Sequence, residues 1–207
     1  MSIKRREPAR EYLEAQESNP HWVRLREQEE ATRLRRIEEE RLAQAPLLDD
    51  LASVGLPVET VWHLVDMRMP YPHAVPILLA HLGRPYPARV LEGIARALAV
   101  PEARVGWNEL ASMFVETQVR SLKVALAGAL AAAADERHLP EVLRLVRDAS
   151  HGPARLPLLE AVGKSRDARA IVALCQLEDD EDLGETAQRI LRRKQRPQPK
   201  APTGMLH

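Results

Sequence analysis

The chain has 207 residues, 45% of them apolar and 29% charged, and its 30 Lys+Arg balance 30 Asp+Glu for a formal net charge of zero. Such values are ordinary for a globular protein, and neutrality argues against a surface built mainly for bare phosphate backbones, which carries a basic excess. Only 3% of the residues are aromatic, so the core must come from Leu, Val and Ala, of which Ala and Leu are strong helix formers.

In chain order, Met1-Ser2-Ile3-Lys4-Arg5-Arg6 leads into charged residues with no apolar core of a secretory signal, and none is expected. No apolar run reaches the ~18 residues of a membrane span. Residues 1–45 read as a charged helical arm. Ser18-Asn19-Pro20 is a helix start, a capping side chain followed by Pro in the first turn. Trp22 to Gln44 contains no Gly or Pro and interleaves charges four residues apart: Arg26/Glu30, Glu29/Arg33, Arg35/Glu39 and Arg36/Glu40. The apolar stripe of Val23, Leu34, Ile37 and Leu42 is too thin for a coiled-coil seam, and a solvated helix is expected.

Residues 46–193 read as a packed helical domain. Pro46 opens a helix with Leu47, Leu48, Leu51 and Val54 on one face, ended by Gly55, and Pro57 opens a second with Val58, Val61, Leu64 and Val65. From His73 onward, pairs of short helices recur: 73–82 with 88–100, 107–115 with 119–134, 139–148 with 154–164, and 170–178 with 183–193. Pro87-Ala88-Arg89-Val90 returns as Pro153-Ala154-Arg155-Leu156, 66 positions on, or two units of about 33. One thin pair cannot shield its own apolar face, so a fixed period of this size predicts stacking of neighbours. Strand and hairpin signals are missing. Residues 194–207 are Pro-rich and basic and read as a disordered tail.

Two segments, Ala74-Val75-Pro76-Ile77-Leu78-Leu79-Ala80-His81-Leu82 with its closing Pro101-Glu102-Ala103-Arg104, and 139–169 with its Leu-Pro-Glu-Val-Leu opening, resemble HEAT-like repeats. They are similar to the short bacterial units of phycobiliprotein-lyase-type HEAT proteins. The resemblance implies an all-α fold, a right-handed α-α superhelix or short solenoid. It also implies a scaffold that binds a protein partner, with nucleic-acid binding and lyase chemistry as the rarer uses of such repeats. The unit at 106–134 departs from the pattern in its Ala-rich second helix.

A search for chemistry finds little. Gly163-Lys164-Ser165 ends like a phosphate loop but lacks its first glycine, position 158 being Leu158, and follows a helix rather than a strand. The histidines form no zinc pattern; His81 and His151 sit near helix ends, where a cation suits the dipole. Glu178-Asp179-Asp180-Glu181-Asp182 lacks calcium-loop spacing and reads as a solvated turn. Cys175, beside Leu174 and Leu177, reads as a buried thiol, and a lone cysteine fits a reducing cytoplasm. No catalytic, metal or cofactor residue is assigned. The final helix is basic through Arg189, Arg192, Arg193 and Lys194, with Arg196 and Lys200 beyond, which suits a helix C-terminus and is also a possible anion patch. If second helices line the concave side, as the resemblance implies, Arg89, Arg96, Lys123, Arg155 and Lys164 form a basic ridge, to which Arg192 adds. Trp22, Trp62 and Trp107 are candidate interface anchors. The expected function is therefore a non-enzymatic, cytoplasmic protein-binding scaffold, with a nucleic-acid-binding module as the alternative and a lyase-type enzyme third.

Overall fold

A computed structural model of the chain describes residues 19–195, so the expectations for 1–18 and for Arg196, Lys200 and the terminal prolines lie outside the described residues. Among the described residues the protein is all-helical, with eleven α-helices and no strand. None of these helices is long and apolar enough to cross a membrane. The chain divides after Ala45 into two units.

The described part of the first unit holds one helix, α1 (Pro20–Ala43). The Asn19 side chain accepts from the His21 amide at 3.0 Å, and Pro20 occupies a position whose N–H needs no partner. None of its residues is buried, and Trp22, Leu34, Ile37 and Leu42 are exposed. Charged side chains pair three residues apart in Glu30 with Arg33 and Glu38 with Arg41. Hydrogen bonds from Arg41 hold the Glu38 carboxyl below its ordinary value.

The second unit opens with α2 (Ala45–Ser53), which buries Leu47 and Leu51 and ends at Gly55 in the left-handed region, φ +82°. The helix expected from Pro57 shrinks to α3 (Trp62–Val65). Val58 and Val61 are β-branched and weak helix formers, and the Thr60 hydroxyl accepts from the Trp62 amide, starting the helix late. Of its expected apolar face Val61 and Leu64 are buried, whereas Val65 is exposed. Four pairs follow: α4 (Val75–Leu82) with α5 (Ala88–Ala97), α6 (Trp107–Glu116) with α7 (Arg120–Ala133), α8 (Leu139–Arg147) with α9 (Leu156–Lys164), and α10 (Ala168–Gln176) with α11 (Gly184–Gln195). Short 3-10 segments, 72–74, 101–106, 136–138 and 149–155, lead into α4, α6, α8 and α9. Because α11 continues through Gln195, the tail expected from 194 cannot start before 196.

Each first helix packs on the second helix of its pair, and the second helices also pack in succession, α5 on α7, α7 on α9 and α9 on α11. Helix α7 is thus enclosed by α5, α6 and α9, which accounts for its alanines: Ala125, Ala127, Ala129 and Ala133 are all buried, and only small side chains let three neighbours close around one helix. Hydrogen bonds between distant residues span 25 to 34 positions, and 29 recurs among them. Tyr71 donates to the Ala97 carbonyl, Arg104 to that of Ala133 and Lys194 to that of Ser165. Arg147 reaches Gln176, Ser165 reaches Glu136, and Arg189 reaches Glu160. These separations run from 26 to 29 residues, five of the six being 29.

Candidate functional site: an apolar groove beside a dispersed set of cations

The six cations of the expected ridge do not form one surface. The Arg89 guanidinium lies over the Trp62 ring at 4.7 Å from its centroid, and Arg96, about two helical turns further on, lies at 5.9 Å while bonding Glu92 at 2.9 Å. Lys123 is half-buried, its ammonium 5.5 Å from the Phe114 ring and 3.4 Å from His151 Nδ1. Lys164 is exposed at a smaller cavity of about 280 Å³ beside Asp135, Glu136 and Ser165, and Arg192 is exposed on α11.

Arg155 is a correction: it is 1% exposed and no part of any surface. Pairing it with Arg89 by the shared Pro-Ala-Arg string misplaces it. Pro157 sets the first turn of α9 at Leu156, so Arg155 falls in the preceding 3-10 segment and turns inward. There it donates to the carbonyls of Gly152 and Val146, to both carboxylate oxygens of Asp180 at 2.9 and 3.0 Å, and to Asp182 at 3.2 Å. The acidic run is accordingly not a freely solvated turn. Asp180 also accepts from the amides of Asp182 and Leu183, which lead into α11. Cys175 is a second correction. It is exposed, because α10 turns Ala170, Ala173 and Leu174 to the core and leaves Ile171, Val172 and Cys175 outside.

His81 lies in the last turn of α4, as expected, and His151 in the 3-10 segment after α8, and both are buried. His81 is 1% exposed and joins three segments, with Tyr86 Oη at 2.6 Å from Nδ1 and Asp50 Oδ2 at 2.8 Å from Nε2. His151 sits against the Phe114 ring, and its Nε2 has no hydrogen-bond partner, Asp148 Oδ2 being 3.6 Å away. Burial, reinforced by Lys123, Arg144 and Arg155, lowers the His151 pKa despite the nearby Asp148. The unfolded chain therefore takes up a proton near pH 6.5 that the folded chain refuses, and stability must fall as pH drops below about 6.5. Urea midpoints at pH 7.5 and 5.5 check this: His151→Gln should flatten the difference, and an unchanged difference would assign it elsewhere.

At the smaller cavity two acids converge with Lys164, and both are engaged. Asp135 is held well below the usual carboxylate range, chiefly by its hydrogen bonds with Arg137, against burial, and by His138. Glu136 accepts from the Ser165 hydroxyl and the Arg166 amide. Trp107, one of the candidate anchors, is buried and donates to Glu141; Trp62 is half-buried and Trp22 is 42% exposed. No group of three metal-ligating side chains occurs among the described residues.

A larger concave feature is a groove of about 620 Å³. One wall is the end of α3 at Val65 and the segment that follows it, with Met67 and Met69; Met69 is 70% exposed. The floor is α7 at Val124 and Gly128, with Val100 and Ala99 behind α5 and Pro157 at the start of α9. Arg68, Arg96 and Glu102 supply the charges lining it. Of the six predicted cations only Arg96 reaches it. The groove was hidden in the sequence because its walls are ordinary apolar residues on three separate helical units; the methionines and the mid-helix Gly128 were its only local signals. Comparison with family models, curated proteins and solved structures returns no match.

Proposed function

We propose that the protein is a non-enzymatic scaffold: a short, HEAT-like, right-handed helical solenoid that holds a protein partner in the groove between α5, α7 and α9. The solenoid reading is supported by the distant hydrogen bonds, which all join residues 25 to 34 positions apart, about one unit, since in a stack each unit meets only the unit before and after it. The observation that carries the binding reading is the groove itself. Its exposed Met69 and Val65 and half-buried Val124 form an apolar concavity with few charges, the composition of a protein-contact surface rather than of a phosphate track. Nucleic-acid binding is the weaker reading because Arg155 is buried, Arg189 and Arg193 are bonded to Glu160, and Lys194 is bonded to the Ser165 carbonyl. A lone exposed thiol fits the reducing cytoplasm.

The test is a capture from source extract with wild type and with Gly128→Leu, each after nuclease treatment and in both low and high salt. Protein species retained by wild type in high salt and lost with Gly128→Leu are the expected outcome. Retained nucleic acid whose binding collapses steeply with salt would transfer the function to the alternative.

A further inference from the structure

Among the described residues, one buried side-chain nitrogen or oxygen lacks a hydrogen-bond partner, Nε2 of His151. The residue is 7% exposed and belongs to the 3-10 segment 149–155, which packs on α7, α8 and α9. The Phe114 ring of α6 stands edge-on to it, ring centroids 4.7 Å apart. Its other nitrogen, Nδ1, faces the Lys123 ammonium of α7 at 3.4 Å. An ammonium has only donors to offer, so Nδ1 must accept and the ring proton must sit on Nε2. The acid beside that N–H is Asp148, whose Oδ2 stands at 3.6 Å, beyond hydrogen-bond reach. Asp148 accepts from the Ser150 amide through its other oxygen, Oδ1, and its side chain is 48% exposed, so Oδ2 has room to close the gap.

The geometry points to His151 as a proton-operated latch between α7 and the 149–155 segment: neutral, it accepts from Lys123; protonated, it releases Lys123 to solvent and closes on Asp148 instead. The exchange follows from counting donors. A proton added at Nδ1 sets donor against donor and cation against cation across the same 3.4 Å. Lys123 is the partner that can leave, half-buried on a flexible four-carbon stem, and its departure also ends the approach of the ammonium to the Phe114 ring at 5.5 Å. The same proton draws Asp148 Oδ2 onto Nε2, which gains the partner it lacks. The other charges acting on the ring are two cations, Arg144 of α8 and Arg155 at the end of the segment, the second already held by Asp180 and Asp182. Helix α9 supplies none of these charges. Burial first, and then the cations against Asp148, hold the titration below the ordinary histidine value, so the latch is shut at neutral pH and opens on acidification.

Histidine-ring NMR and amide hydrogen exchange on the full chain test this, with His151→Gln and Lys123→Met as variants whose folding is checked by circular dichroism. At pH 7.5 the ring signal that disappears in His151→Gln should be that of the Nε2–H tautomer. Between pH 7.5 and 5.5, exchange corrected for its chemical rate should quicken roughly tenfold in peptides covering 120–126 and 149–155, and not in α5. In Lys123→Met that quickening should vanish, and the His151 ring should titrate at a higher pH than in wild type, because no ammonium opposes the proton. Should His151→Gln not fold, the displaced titration in Lys123→Met identifies the ring instead. A histidine that merely destabilises the whole fold in acid would speed α5 equally, and that result overturns the latch. So does an Nδ1–H tautomer, exchange that ignores pH, or a local response that survives in Lys123→Met.

Discussion

Arg155→Ala is expected to cost about 3–5 kcal/mol of folding stability, read as a lowered urea midpoint at neutral pH. Arg155 is a fully buried cation whose guanidinium fork is filled: two donors on Asp180, a shared one on Asp182, and backbone carbonyls of Val146 and Gly152 for the rest. Truncation removes a buried side chain, leaves two carbonyls without their donor, and strands Asp180 in a partly desolvated position. Burial pushes the Asp180 carboxyl up, but the bonds from Arg155 and from the amides of Asp182 and Leu183 outweigh it and hold the pKa below the ordinary value. The sign follows: the folded chain binds that proton more weakly than the unfolded one, so the contribution is complete above the ordinary aspartate pKa and is lost as pH falls toward the folded value. Arg155→Lys should recover little, because a point-like ammonium cannot occupy a fork of four directions. A double-mutant cycle with Asp180→Asn should show strong coupling, the second substitution costing much less once the arginine is gone. A loss under about 1 kcal/mol for Arg155→Ala would mean that packing alone fastens this joint.

The positions of the helices were legible in the sequence because their signals are local. Proline marked the first turns of α4, α8 and α9, Gly55 marked an end, and Leu and Ala at helical spacing marked the buried faces. The failures came from non-local causes. Val58 and Val65 carry a helical spacing, yet β-branched residues and the Thr60 bond shorten that helix. Cys175 lies between leucines but points outward because α10 meets its neighbours on one side only. Arg155 and Asp180 are 25 residues apart, and neither hydropathy nor charge count distinguishes a buried pair from two solvated groups. The groove draws on residues from 65 to 157, so its chemistry exists only once α5, α7 and α9 are side by side. Gly128 alone carried a sequence-level hint, a helix breaker in the middle of an alanine-rich run.

Alanine at three glycines is expected to give three different results, and Gly184→Ala the largest, a loss of about 1–3 kcal/mol or more by urea unfolding. Gly184 is buried at the first turn of α11, and its new methyl would overlap the carbonyl of Glu178, a backbone atom that no rotamer change can clear. That carbonyl belongs to the 178–183 loop, which is fastened through Asp180 and Asp182 to Arg155, so it cannot swing aside without disturbing the buried pair. Gly163→Ala meets only the side chains of Ile190 and Arg193, which can adjust, and should cost less. Gly128→Ala meets nothing and should stabilise the fold by about 0.5–1 kcal/mol through helix propensity. The coupling sharpens the argument. In an Arg155→Ala background the loop is released, and the Gly184→Ala penalty should shrink; equal penalties in both backgrounds would show that the loop is held by something other than the arginine. A stable Gly184→Ala protein would mean instead that the α10–α11 turn yields more readily than its backbone contacts imply.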